Sequence, residues 1–259
     1  MTKPIEHLLD IMTRLRDPQS GCPWDIKQTY DTIVPYTLEE AYEVADAIER
    51  KSYTELKDEL GDLLFQVVFY AQIASEEGRF TFNDCVQAIC DKLQRRHPHV
   101  FAGAAANAKS AEQALANWEA LKSGERKDAG QHSVLDNIPQ TLPALSRANK
   151  LQKRCASIGF DWPDVSGAWD KVKEEVTEVE ETLPGSTELA EELGDLMFAL
   201  VNVVRKHKLD PETVLRAANN KFERRFRAVE QQLHQQGRST EQASLAEMDA
   251  LWQQLKHKI

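Results

Sequence analysis

The sequence predicts an all-α protein made of two copies of one helical unit, and three observations support this. Apolar residues recur at helical spacing through most of the 259 residues, and the β-branched alternation of strands is nearly absent. Glycine and proline are sparse and fall mainly between the periodic segments. The second half of the chain also retraces the first, motif by motif.

Taken in order, residues 4 to 16 set Ile5, Leu8, Leu9, Ile11, Met12 and Leu15 in a helical pattern, which Asp17-Pro18-Gln19-Ser20-Gly21 breaks. Cys22-Pro23-Trp24-Asp25 follows, and Thr37-Leu38-Glu39-Glu40 predicts a helix start with a threonine cap and early acids. Glu40 and Glu43 share one face of that helix, while Leu38, Ala41, Tyr42 and Ala45 share another. Glu59-Leu60-Gly61-Asp62 predicts the start of a second helix, whose wide apolar face includes Leu63, Leu64, Val67, Val68 and Ala71. A third helix is expected over Phe82 to Arg96, carrying Lys92, Arg95 and Arg96 and ended by His97-Pro98-His99.

Gly103 to Ser110 approximates a Walker A loop. Ala108 stands where the second glycine is required and no strand precedes it, so a linker or lid is the better reading. Ala114 to Lys122, with Trp118, predicts one more short helix. Residues 123–133 are polar and charged, which suggests a first domain over 1–122, a linker over 123–138 and a second domain over 139–259.

In the second half, Leu142 to Arg154 parallels the opening helix and Gly159-Phe160-Asp161-Trp162 parallels Gly21-Cys22-Pro23-Trp24. Glu174, Glu175 and Glu178 match Glu39, Glu40 and Glu43; Glu192-Leu193-Gly194-Asp195 matches Glu59-Leu60-Gly61-Asp62. Lys221, Arg224 and Arg225 match Lys92, Arg95 and Arg96, and Trp252 matches Trp118.

The repeated acids carry the chemistry. Residues three or four apart share a helix face, so Glu175 projects with Glu178 and Glu192 with Asp195. Leu183-Pro184-Gly185-Ser186 between them lets the two helices run back antiparallel. Four carboxylates gathered this way repel strongly unless a cation neutralises them, and an all-oxygen cluster suits magnesium or manganese. A solvated acidic face explains either helix alone. It does not explain why two copies that differ freely elsewhere share the acids, the basic cluster and the tryptophan. Gly194 costs about 1 kcal/mol inside a helix and so predicts a packing or site reason. Lys221, Arg224 and Arg225 present one cationic face suited to phosphate, the alternative being a salt-bridged surface. Trp252 suits stacking on a base, the alternative being a core tryptophan.

A formal net charge of −10 argues against a nucleic-acid partner. No apolar run is long enough to span a membrane or resembles a signal peptide, and the four cysteines show neither Cys-x-x-Cys nor zinc spacing. A cytoplasmic protein with reduced thiols is expected.

Glu-Glu-x-x-Glu followed by Glu-x-x-Asp, in tandem over the whole chain, resembles the MazG family of nucleoside triphosphate pyrophosphohydrolases. The resemblance implies an all-α fold in which four helices surround a magnesium site, usually completed by homodimerisation. It implies hydrolysis of nucleoside triphosphates to monophosphate and pyrophosphate, with broad base tolerance, in nucleotide-pool housecleaning or regulation; any regulatory protein partner stays unknown. It gives the metal and catalytic roles to Glu175, Glu178, Glu192 and Asp195. Nucleotide contacts fall to Lys171, Glu174, Glu175, Glu188, Glu191, Asp195, Lys221, Arg224, Arg225 and Trp252. Glu40, Glu43, Glu59, Asp62, Lys92, Arg95 and Arg96 form a second candidate site. The halves are unequal, because Lys171 corresponds to Tyr36 and Phe226 to His97, which favours the second half as the main catalytic site. Three readings compete. A di-iron bundle needs Glu-x-x-His pairs, and no histidine here has a glutamate three residues before it. A narrow all-α deoxyuridine triphosphatase and a non-catalytic, metal-braced scaffold stay open.

Overall fold

The computed structural model describes residues 3–101, 110, 113–114, 117–118, 121–122, 124–125 and 133–256. Helices are the only regular elements among them, in two compact units, Met1–Arg126 and Lys127–Ile259. Gly103 to Ala108 of the Walker-like segment lie outside the described residues.

In the first unit, α1 (Pro4–Leu15) and the short α2 (Pro23–Ile26) precede two long helices, α3 (Tyr30–Arg50) and α4 (Tyr53–Glu76). α5 (Phe82–Arg96) and α6 (Pro98–Phe101) follow. Both long helices begin before the positions that the acid motifs suggest. Thr29 caps α3, accepting the Thr32 N–H, while Thr37 lies inside the helix and donates its hydroxyl to the Ile33 carbonyl. Pro35 lies between the two candidate caps. It sits in the second turn, where it forfeits one backbone bond and the helix tolerates it. α4 likewise starts at Tyr53, so Glu59 and Asp62 sit inside an established helix.

Met12, Ile33, Val68, Phe69 and Ile73 form the core of this unit. Arg16 pins the corner between α1 and α2 onto α4. Its guanidinium bonds both Glu76 carboxylate oxygens, donates to the Asp25 and Gln28 carbonyls, and lies 5.4 Å over the Phe69 ring.

The second unit runs α7 (Ala144–Ala156), α8 (Val165–Glu181), α9 (Thr187–Lys206), α10 (Pro211–Gln235), a 3-10 turn (Thr240–Gln242) and α11 (Leu245–Leu255). Asp164, Ser186, Asp210 and Ser244 cap α8 to α11 by accepting backbone N–H groups. Gly185 turns the chain between α8 and α9 with φ of +84°, a left-handed conformation that glycine adopts without strain. The α8–α9 interface is built on Ala168, Val172, Ala199 and Val203, whose small side chains let the two acid-bearing helices approach closely. Val229, Leu233 and Leu255 make a separate cluster between α10 and α11. α10 also packs on α7, where Ser146 donates to Glu212. Where α1 buries Met12, α7 buries two amides, Asn149 and Gln152.

Candidate active site

Because α8 and α9 pack side by side, their acidic faces converge. Carboxylate oxygens of Glu175, Glu192 and Asp195 all lie within 4.8 Å of one another. Glu175 is only 3 % exposed. One turn earlier, Lys171 Nζ stands 2.7 Å from the carboxylates of both Glu174 and Glu175. Its bonds to Glu174 first, and then to Glu175, hold the lysine protonated well above its ordinary range.

Lys171 meets Oε1 of Glu175, whereas Oε2 is buried with no hydrogen-bond partner. An orphaned carboxylate oxygen in a dry position is costly unless a cation meets it. Oxygens bound to magnesium at about 2.1 Å stand up to about 4.2 Å apart across an octahedron, so a small contraction of the trio would seat the ion. The residues present fit a hard divalent cation. Glu178 lies beside the trio, and burial, then the charge of Glu175, pushes its carboxyl up.

A cavity of about 280 Å³ opens beside this cluster, lined by Lys171, Glu175 and Asp195 together with Gln152, Trp162 and Asn202. A second, of about 460 Å³, shares Gln152, Trp162, Phe198 and Asn202 with it and reaches Asp161 and Arg205. Sequence reasoning passed over Gln152 and Asn202. The available signal was a polar residue on the buried stripe of an amphipathic helix, Asn202 lying between buried Val201 and Val203.

The structure thus gathers Lys171, Glu174, Glu175, Glu178, Glu192 and Asp195. Glu188 and Glu191 are exposed on the first turns of α9, and Glu188 is held below its ordinary range by its own backbone N–H and by Ser186 and Thr187. Lys221 and Arg224 are exposed on α10. Arg225 turns toward α11, donating to the Lys256 carbonyl and lying 5.9 Å over the Trp252 ring. Trp252 is half-buried against the Val229–Leu233–Leu255 cluster, with Phe222 5.2 Å away. Among the described residues, no hydrogen bond or ion pair joins Lys221, Arg224 or Arg225 to the carboxylates. Gly194 also differs from expectation: a Cβ there would meet nothing within 4 Å, so no contact inside the chain requires the glycine.

The first unit repeats the cluster. Glu40, Glu43 and Glu59 bring carboxylate oxygens within 4.8 Å. Burial, then the charges of Asp62 and Glu43, pushes the Glu40 carboxyl up; burial, then Glu43 and Asp62, does the same to Glu59. Tyr36 occupies the lysine position and packs edge-on against Trp24 at 5.8 Å. Lys92 is exposed, while Arg95 and Arg96 are both bound by Glu125, at 2.7 and 2.5 Å. That pairing, with Arg96 first, holds the Glu125 carboxyl down at about 2. Arg96 lies 5.8 Å over Trp118, repeating the arrangement of Arg225 and Trp252.

Two tandem all-α units, each with a helix pair whose facing carboxylates suit a hard cation, define the class of the protein. The MazG nucleotide pyrophosphohydrolase domain matches residues 28–101 and 168–229, over the acid-bearing helices of each unit. The chain belongs to the MazG family. It is 54% identical over 258 residues to the nucleoside triphosphate pyrophosphohydrolase of Escherichia coli (strain K12), covering 98% of this chain and 97% of that one. Identity to the nucleoside triphosphate pyrophosphohydrolase/pyrophosphatase MazG of Thermotoga maritima is 41% over 251 residues, covering 97% and 95%. The protein YabN of Bacillus subtilis is 45% identical over 249 residues, 95% of this chain but 50% of its own length.

Proposed function

We propose that the chain hydrolyses nucleoside and deoxynucleoside triphosphates to the monophosphate and pyrophosphate at the α8–α9 cluster, with magnesium as its ion and manganese as a substitute. The observation that carries this reading is the buried, unpartnered Oε2 of Glu175 at the centre of a carboxylate trio, beside a lysine held protonated. The names of full-length relatives in Escherichia coli and Thermotoga maritima support the choice of bond. Glu175, Glu192 and Asp195 would hold the ion. When bound, magnesium neutralises phosphate charge and makes bound water easier to deprotonate. Lys171 adds a fixed positive charge for the triphosphate. Glu178, its carboxyl pushed up, is placed to take the proton of the attacking water.

A homodimer is part of this reading. Leu193, Met197 and Leu200 are 39 %, 60 % and 42 % exposed on α9 around the open Gly194, a face that a second copy would cover. The phosphate contacts of Lys221, Arg224 and Arg225 would then come across the dimer. Broad base tolerance and a housecleaning or regulatory role in the nucleotide pool complete the proposal. Chromatography of each common triphosphate incubated with magnesium tests it, the expected products being monophosphate and pyrophosphate, lost on chelation. Diphosphate plus orthophosphate would overturn the assigned bond, and magnesium binding without turnover would favour the scaffold.

A further inference from the structure

We infer that Glu125 is a built-in occupant of a diphosphate site in the first unit, a carboxylate that the ligand must displace to reach Arg95 and Arg96. Such binding goes beyond the hydrolysis proposed for the second unit and does not depend on it.

Arg95 and Arg96 are consecutive on the last turn of α5, and adjacent helical residues point about 100° apart rather than at one another's partners. Here both guanidinium groups come round to the same carboxylate. Arg95 Nε donates to Oε1 of Glu125 at 2.7 Å, while Arg96 donates to Oε2 through Nε at 3.1 Å and through a terminal nitrogen at 2.5 Å. Each carboxylate oxygen thus has an arginine of its own, a fork that suits phosphate oxygens equally well. Lys92 is exposed one turn earlier on the same helix face, and Lys122 Nζ lies 4.3 Å over the Trp118 ring that Arg96 also covers. A carboxylate brings a single negative charge to this group of cations, whereas a diphosphate brings several.

The internal repeat shows that Glu125 is not what poses the arginine. Arg225, the counterpart of Arg96, lies 5.9 Å over Trp252 as Arg96 lies 5.8 Å over Trp118. Yet Arg225 Nε is buried with no hydrogen-bond partner, while the same atom of Arg96 donates to Glu125. The tryptophan therefore presets the guanidinium in both units, and the carboxylate meets a donor set that is already formed. A buried arginine nitrogen without an acceptor is costly, so the position calls for an oxyanion. In the first unit the chain supplies that oxyanion from within.

The occupant can be exchanged. Its side chain is 27 % exposed, and those of Arg95 and Arg96 are 56 % and 18 % exposed, so water reaches the bonds and each contributes little. Gly124 precedes it, and a Cβ there would meet nothing within 4 Å, so no packing among the described residues holds that backbone down. A tethered competitor weakens a ligand without excluding it, because its effective concentration is finite. The two arginines, Arg96 first, hold the carboxyl at about 2, so the competitor keeps its charge near neutral pH. Glu125 thereby raises the diphosphate concentration at which the first unit fills.

Isothermal titration of the full chain with inorganic pyrophosphate, in chelator so that nothing turns over, tests the site. Glu125→Gln keeps the shape of the side chain and removes its charge. It should bind pyrophosphate about tenfold more tightly than wild type, the scale of removing one competing charged pair. Arg96→Gln added to Glu125→Gln should abolish that gain, which assigns it to the first unit. Binding should also change the emission of Trp118, a signal absent from Trp118→Phe. Glu125→Asp, which keeps the charge on a shorter arm, should give a smaller gain and guards against misfolding of the first variant. An affinity within about twofold of wild type in folded Glu125→Gln overturns the occupant, as does an equal gain when Arg96 is also replaced. A nucleoside diphosphate titrated the same way separates two sources of the ligand. Matching affinity supports the phosphate end of a nucleotide, preference for pyrophosphate supports the free ion, and binding of neither by Glu125→Gln overturns the site. Failure of the second unit to hydrolyse triphosphates would leave these affinities unchanged.

Discussion

Glu192→Gln removes one charge from the carboxylate trio and keeps the shape of the side chain. Without divalent cations, Glu192 lies within 4.8 Å of the carboxylate oxygens of Glu175 and Asp195. Two unit charges at that distance repel by about 0.9 kcal/mol in water and about 3.5 kcal/mol at an effective dielectric constant of 20. Asp195 is exposed and Lys171 offsets part of the Glu175 charge, so the lower end governs and the two pairs together cost about 1–3 kcal/mol. At roughly 3 °C per kcal/mol for a unit of this size, the variant should melt about 3–9 °C above wild type in chelator. Magnesium reverses the order. Binding to the folded state stabilises wild type by about 2.7 kcal/mol at a hundred times Kd, while the variant, short of one ligand, gains little. Scanning calorimetry with chelator and with magnesium reads both conditions. A variant that melts below wild type in chelator would show that Glu192 braces the fold through hydrogen bonds. Equal magnesium shifts in the two proteins would place the cation elsewhere, and either result refutes the trio as the cation site.

Glu178→Gln should remove most pyrophosphate release and Glu43→Gln should leave a substantial part, because Lys171 supplies charge where Tyr36 supplies none; equal losses would mean that the halves form one composite site. Glu125 titrates at about 2 in the folded protein against an ordinary 4.5, so its pairing with Arg96 and Arg95 contributes stability that is complete above the ordinary value and is lost as pH falls through about 2. Chemical denaturation of wild type and Glu125→Gln should therefore show a constant small difference from neutral pH down to about 5 that shrinks toward pH 2 and in high salt. A difference that grows on acidification contradicts the pairing.

The helices were legible in the sequence because their apolar periodicity is strong, and the third helix begins and ends at Phe82 and Arg96 as the pattern indicates. Starts were less legible where propensity misleads. Thr37 with Glu39 and Glu40 reads as a helix start, but two turns of α3 precede these acids because Thr29 caps the helix earlier. At the site, spacing alone put Glu175 with Glu178 and Glu192 with Asp195. It could not show that Glu175 becomes buried with an orphaned oxygen, since burial depends on how α8 and α9 pack. Nor could spacing place the tryptophans. Trp252 stands half-buried in the α10–α11 cluster, whereas Trp162 lines both cavities beside the acids.

The duplication acts as an internal control on which features belong to the scaffold. Arg96 over Trp118 and Arg225 over Trp252 repeat within 0.1 Å (5.8 and 5.9 Å), a contact kept in both units whatever else changes. Several differences fall at the site. Tyr36 replaces a charged lysine, buried Phe69 stands where the second unit has Asn202, Thr32 stands where Gly167 seats an indole, and Glu125 pairs with two arginines. The lysine charge is absent from the first unit and its two arginines are paired with Glu125, yet the carboxylates of Glu40, Glu43 and Glu59 remain gathered. Carboxylates that only repelled one another would be as easily lost as the lysine. Their persistence beside Tyr36 and the Glu125-bound arginines fits a cation that braces the first helix pair.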